Sequence, residues 1–149
     1  MTEVSFYHLE RQSLDQVLPK LMERVIGAGL RAVVLAGSSE RVDRLNTLLW
    51  TYDDGSFLPH GCRADGNVAE HPIFLTTEEE NPNGATVLAV IDGVKATYIG
   101  DFDRCLDIFN GNDEADVSDA RERWKKYKAD GHEVVYWQQS PQGKWEKKG

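Results

Sequence analysis

Hydrophobic positions along this chain fall into short blocks, and their spacing changes from block to block. Val4 to Leu9, VSFYHL, is a β-branched and aromatic run and predicts a strand. Leu14, Val17, Leu18, Leu21, Met22 and Val25 then recur at helical spacing. Ser13 with Gln16 three residues on supplies a capping box, and Gly27 and Gly29 mark the end. Pro19 inside that pattern predicts a kink or a later helix start. Arg31 to Ala36, RAVVLA, is almost continuously apolar, the pattern of a strand covered on both faces. Gly37-Ser38-Ser39 then turns into a second helix carrying Val42, Leu45, Leu48 and Leu49.

The stretch from Asp53 to Pro72 is polar and irregular and reads as a long loop. Ile73 to Thr77 predicts a strand, Asn81-Pro82-Asn83-Gly84 a turn, and Thr86 to Ile91 another buried strand. Phe102, Cys105, Leu106 and Phe109 sit at helical offsets, which predicts a helix over 102–109. The acidic run GNDEAD leads into a helix over 114–130, with Gly131 just past its C-cap. Glu133 to Gln138 reads as a strand and SPQGKWEKKG as an exposed tail. Strands alternating with helices imply an α/β domain with a mainly parallel sheet. Residues 1–140 are assigned to that domain and 141–149 to the tail.

A chain of 149 residues is long enough for one hydrophobic core. With 17 Lys+Arg against 25 Asp+Glu the net charge is -8, which opposes general affinity for a polyanion. Two cysteines, Cys62 and Cys105, make no disulfide framework and suit a reducing compartment. MTEVSFYHLE lacks the basic and apolar regions of a secretory signal. No apolar run approaches the roughly 18 residues that span a bilayer. A cytoplasmic protein without membrane contact is the expectation.

Catalytic chemistry finds little support. The turn at Gly37-Ser38-Ser39 opens a helix whose free N–H groups suit a phosphate. It has neither the GxGxxG nor the GxxxxGK[ST] spacing, so a serine N-cap accounts for it. A nucleotide-binding α/β enzyme using this turn is the alternative from another functional class. His60, Cys62 and His71 do not match a standard zinc spacing. The carboxylates of GDFDRCLD and TTEEENP read as solvated faces and turn formers. No cofactor or metal is expected.

One segment departs from the acidic background. Between Arg121 and Lys128 five of eight residues are basic, interleaved with Glu122, Trp124 and Tyr127. On a helix, Arg121, Lys125 and Lys128 fall within about 60° of one another. Trp124 and Tyr127 lie beside that stripe with Ala120 on the same flank, while Arg123 and Lys126 point elsewhere. Three readings follow. The aromatics are core and the cations a solvated face that suits the helix dipole; or the segment holds an acidic peptide, an aromatic slot taking an apolar side chain and a cation its carboxylate; or it contacts nucleic acid directly.

The order of motifs FYHL, LLW (Leu48 to Trp50), SFLPHG (Ser56 to Gly61) and ARERWKKYKADG resembles the chi subunit of bacterial DNA polymerase III, a clamp-loader accessory protein. The resemblance runs over most of the chain. It implies a Rossmann-like three-layer fold without a working nucleotide site, and a non-enzymatic role. It also implies two partners. One is the acidic C-terminal tail of single-stranded DNA-binding protein, which ends in phenylalanine with a free carboxylate. The other is the psi clamp-loader subunit, for which a helicase-like protein competes, with DNA reached only indirectly. Carried over by motif position, Arg121, Trp124 and Lys128 match the tail pocket, with Trp where tyrosine is usual and Lys where arginine is usual. Lysine does not reproduce a bidentate guanidinium contact. Val117 stands where relatives place a further cation, and Lys125 on the same face is expected to compensate. Trp50, Phe57 and Pro59 match the apolar surface toward psi.

Overall fold

The computed structural model describes residues 2–10, 12–52, 58–142 and 144–148. Within them the chain runs β1 (Glu3–Leu9), α1 (Leu14–Gly27), β2 (Ala32–Leu35), α2 (Ser39–Thr51), β3 (His60–Cys62), β4 (Ile73–Thr76), β5 (Val87–Val90), β6 (Arg104–Asn110), α3 (Glu114–Ala129), β7 (Glu133–Gln139) and β8 (Trp145–Lys147). The strands form one sheet in the order β3-β4-β2-β5-β6-β1-β7-β8. Every neighbouring pair is parallel except β7 with β8.

Both faces of the sheet are covered, which is why its central strands read as unbroken apolar runs. On one face Ala32, Val34, Ala89 and Ile108 pack with Leu18, Met22, Leu45 and Leu49 from α1 and α2. On the other, Val4, Phe6, Val33, Leu88 and Phe109 pack with Ala120 and Tyr127 from α3. This is the expected Rossmann-like three-layer α/β arrangement. The Ser13–Gln16 capping box is present, and α1 runs on through Pro19, whose missing N–H leaves one carbonyl of the first turns without its helix donor.

Three expectations need correction. Residues 102–109 were assigned to a helix, but 104–110 are β6, buried from Cys105 through Phe109. A strand covered on both faces has no period-two alternation, so chance helical offsets dominated the pattern. The loop 53–72 contains a three-residue strand, β3, paired with β4. Part of the 141–149 tail is structured: Trp145–Lys147 adds β8 to the sheet, with Trp145 edge-on to Tyr7 at 5.1 Å.

Candidate functional site

Helix α3 begins with a well-formed cap: Asp113 Oδ1 accepts from the N–H groups of Ala115 at 2.9 Å and Asp116 at 3.2 Å. Glu114 and Asp116 sit in its first turn and Lys126 and Lys128 in its last, each sign complementing the helix dipole. Gly131, with φ of 91°, takes the left-handed position past the C-cap that side chains disfavour. Ala120 and Tyr127 are buried on the inner face, so Tyr127 belongs to the core. Trp124 is half-buried at the edge, 5.6 Å from Phe6 and 5.9 Å from Tyr136 between ring centres.

Between α3 and the sheet lies a small apolar pocket of about 180 Å³. Buried Phe6, Phe109 and Ala120 close its inner end, and Val117, Trp124 and Tyr136 form its sides. Arg121 contributes the one ionised side chain of the lining among the described residues. The structure therefore brings Arg121 and Trp124 together. Lys125 and Lys128 are exposed on the same helix but stand outside the lining. Lys125 Nζ lies 3.8 Å from Glu122 Oε1, both strongly exposed, a pairing of little energetic weight. Val117 supplies apolar wall in place of charge.

The far side of Tyr136 is tied into a polar chain. Its hydroxyl is hydrogen-bonded to His8 Nδ1. His8 Nε2 lies 3.0 Å from Glu10 Oε1, too far off line for a hydrogen bond, so the contact is electrostatic. Glu10 Oε1 also accepts from Gln138 at 2.7 Å. Burial pushes the Tyr136 hydroxyl pKa up, opposed by the charge of Arg121 and reinforced by Glu10. Phe6, Phe109, His8 and Tyr136 were not expected at the site. The parallel register that sets β1 between β6 and β7 assembles them.

Arg123, expected to point away from the site, is only 3 % exposed. Its Nε and Nη2 donate to Asp107 Oδ2 and Oδ1 at 2.7 and 2.9 Å, a side-on bidentate pair. Burial raises the Asp107 carboxyl against the pull of that guanidinium.

A larger cleft of about 650 Å³ opens at the C-terminal ends of β1, β5 and β6, where α/β folds commonly hold ligands. Its arginines are paired within the protein. Arg44 Nη2 meets Asp15 at 2.8 Å and Arg41 Nε meets Asp92 at 3.2 Å. Asp92 Oδ2 also accepts from the Gly37 N–H at 3.1 Å, and Ser38 Oγ accepts from the Arg41 N–H. A side-chain carboxylate thus fills the anion position at the start of α2. Asp92 holds a left-handed φ of 59° to do so.

His60, Cys62 and His71 serve local structure. His60 Nδ1 lies 2.6 Å from the Leu58 carbonyl and Nε2 2.9 Å from that of Asn46. The Cys62 thiol faces Asp65 at 3.4 Å, and His71 Nε2 faces the Gly66 carbonyl at 2.7 Å. Among the described residues no three potential ligands gather as a metal site. Trp50, at the end of α2, is 52 % exposed and packs at a tilt against His60, 4.6 Å between ring centres. Pro59 is half-buried, and Phe57 lies outside the described residues.

The family model described as DNA polymerase III chi subunit, HolC, matches residues 1–135. The chain belongs to the DNA polymerase III chi subunit family. It is also similar to the probable DNA polymerase III subunit chi of Rickettsia prowazekii (strain Madrid E), with 34 % identity over 91 residues. That alignment covers 61 % of this chain and 55 % of the relative, so the chain spans about half of the curated relative's length. The chi family match takes in α3 whole and the strands that line the pocket as far as Val135. No helix of the described residues is long and apolar enough to cross a membrane.

Proposed function

We propose that this chain is a non-catalytic accessory subunit of the replicative polymerase assembly. In this reading it binds the acidic C-terminal tail of single-stranded DNA-binding protein beside α3, and so ties the clamp loader to coated template in the cytoplasm. The observation that carries the reading is an apolar pocket with one cation, Arg121, in its lining. A terminal phenylalanine offers matching chemistry: its ring fills the pocket while its free carboxylate takes a charge-assisted bond from the guanidinium. Lys125 and Lys128 then lie along the path of the acidic residues that precede it. A short peptide buries little surface, so the affinity is roughly micromolar, and it weakens with salt because the attraction is partly exposed charge.

The test is titration with an acidic peptide ending in Pro-Phe, with a free carboxylate or as the amide. Tight binding of the acid and weak binding of the amide is expected. Equal binding of both, or none, refutes the pocket assignment.

A second surface, around Trp50 and Pro59, is assigned to a psi-like subunit or a helicase-like competitor. The 52 % exposure of a large indole favours it. Trp50→Ala is expected to abolish co-purification with such a partner while leaving tail binding intact. The rival, a nucleotide enzyme using Gly37-Ser38-Ser39, is disfavoured by the Asp92 carboxylate already seated at that helix start.

A further inference from the structure

The row of side chains beneath α3 continues one strand further than the pocket does. In the parallel register Asp107 stands beside Phe6, and Phe6 beside Tyr136. β8 runs antiparallel to β7 with Lys147 opposite Trp137. The Lys148 N–H closes the next pair by donating to the Tyr136 carbonyl at 2.7 Å. Paired residues of neighbouring strands project to one face, so Lys148 stands on the α3 side, its Cβ about 5 Å from that of Tyr136. Its Nζ lies 3.8 Å from Glu146 Oε1, two residues back on that same face, while Lys147 projects to the opposite one. Across four strands the row therefore holds a buried acid, two rings and an exposed cation. Two contacts fix its outer end. Trp145 packs edge-on against Tyr7 at 5.1 Å on the other face, and the Ser140 N–H donates to the Lys144 carbonyl at 2.7 Å in the turn before it.

From this arrangement we infer that Lys148 is a second cationic edge of the tail site, across from α3, and takes a carboxylate from the acidic residues that precede the ligand's terminal phenylalanine. The inference rests on the tail-binding reading and adds to it a contact residue and a direction. β8 lies beyond the residues of the chi family match. α3 joins two parallel-running strands, β6 and β7, so it runs back against them, and Lys125 and Lys128 lie toward the start of β7. β8 also runs toward that start and leads into Lys148. Acids gather at the other end. Glu10 and Glu146 flank Gln138, and Asp116 and Asp119 lie in the first half of α3. At the cationic end Asp130 holds Lys126 at 3.0 Å, and Glu133 projects to the far face. An acidic segment whose terminal ring sits beside Trp124 therefore leaves toward the C-terminal end of α3, between Lys128 and Lys148. The Lys148–Glu146 pair is about half exposed on both sides, so exchanging it for a ligand carboxylate costs little.

The experiment measures the affinity of the full chain for two free-acid peptides by fluorescence anisotropy. Both end in Pro-Phe; one carries aspartates before that pair and the other asparagines. Lys148→Ala is expected to bind the aspartate peptide roughly threefold more weakly than the parent, the scale of one exposed charge pair. It should bind the asparagine peptide as the parent does. Lys147→Ala removes the same charge one residue away on the opposite face, and should match the parent with both peptides. Three results overturn the inference and leave the tail-binding reading standing: equal binding of the aspartate peptide by parent and Lys148→Ala, an equal loss with the asparagine peptide, or a loss in Lys147→Ala as large as in Lys148→Ala. Absence of binding of either peptide by the parent chain overturns both.

Discussion

Two hollows flank α3, and they differ in almost every property. The cleft at the strand ends is large, polar and lined by three arginines and several carboxylates. The pocket beside Trp124 is less than a third of its volume and lined by rings and aliphatic carbons around one arginine. Phe109 borders both. Size points to the cleft, and chemistry points to the pocket. In the cleft Arg41, Arg44 and Arg123 each already hold a carboxylate of the same chain. A ligand there must displace a partner before it gains one. In the pocket exposed Arg121 borders an apolar hollow, so on the proposed reading a ligand carrying both a ring and a carboxylate gains contacts without displacing an internal ion pair.

The comparison is sharpest between two arginines on one helix. Arg123→Ala leaves Asp107 buried without its partner and is expected to cost about 3–5 kcal/mol of stability, read from the midpoint of urea unfolding. Arg121→Ala should change that midpoint little, by about 0.5 kcal/mol or less. It should instead weaken binding of the free-acid peptide roughly tenfold or more, as loss of one charge-assisted contact implies. If Arg121→Ala unfolds the protein while Arg123→Ala is silent, the division between structural and binding cations fails.

Asp92→Ala tests why the cleft is closed to anions. It removes the acceptor of the Gly37 N–H and the partner of Arg41, and is expected to cost about 1–2 kcal/mol. It should also make the melting temperature rise with added phosphate more than in the parent chain. Equal response to phosphate in both proteins would show that Asp92 is not what fills the site. The smallest effect is predicted for Lys125→Ala, about a two- to threefold loss of peptide affinity from an exposed charge. Val117→Lys in the same background should then recover it. An unchanged affinity in Lys125→Ala would end the idea that Lys125 replaces the cation absent at Val117.

Much of the fold is readable in the residue pattern because local and tertiary requirements agree there. The apolar blocks of β2 and β5, the Ser13–Gln16 cap and the glycine at 131 each have one good structural solution. β6 does not, since burial on both faces erases its period, and Asp107 inside it looks like surface until Arg123 is found opposite. That pairing was the available signal: an acid in the middle of an apolar run needs a cation from elsewhere in the chain. At the site, the helical wheel brought out Arg121 and Trp124. It could not supply Phe6, Phe109 and Tyr136, which arrive from three strands far apart in sequence. It also set Tyr127 in the aromatic wall, because a wheel gives direction but not depth.

The placement of β1 has a consequence for how the protein comes into being. Glu3 is in register with Arg104 on one side and Glu133 on the other. β1 therefore waits for both neighbours until on the order of a hundred further residues have been synthesised. Throughout that interval VSFYHL is an unpaired, β-prone segment, open to wrong partners during translation. Phe6, His8 and the seat of Tyr136 come into position only after β6 and β7 have closed around β1, so the pocket cannot exist before all three strands are paired.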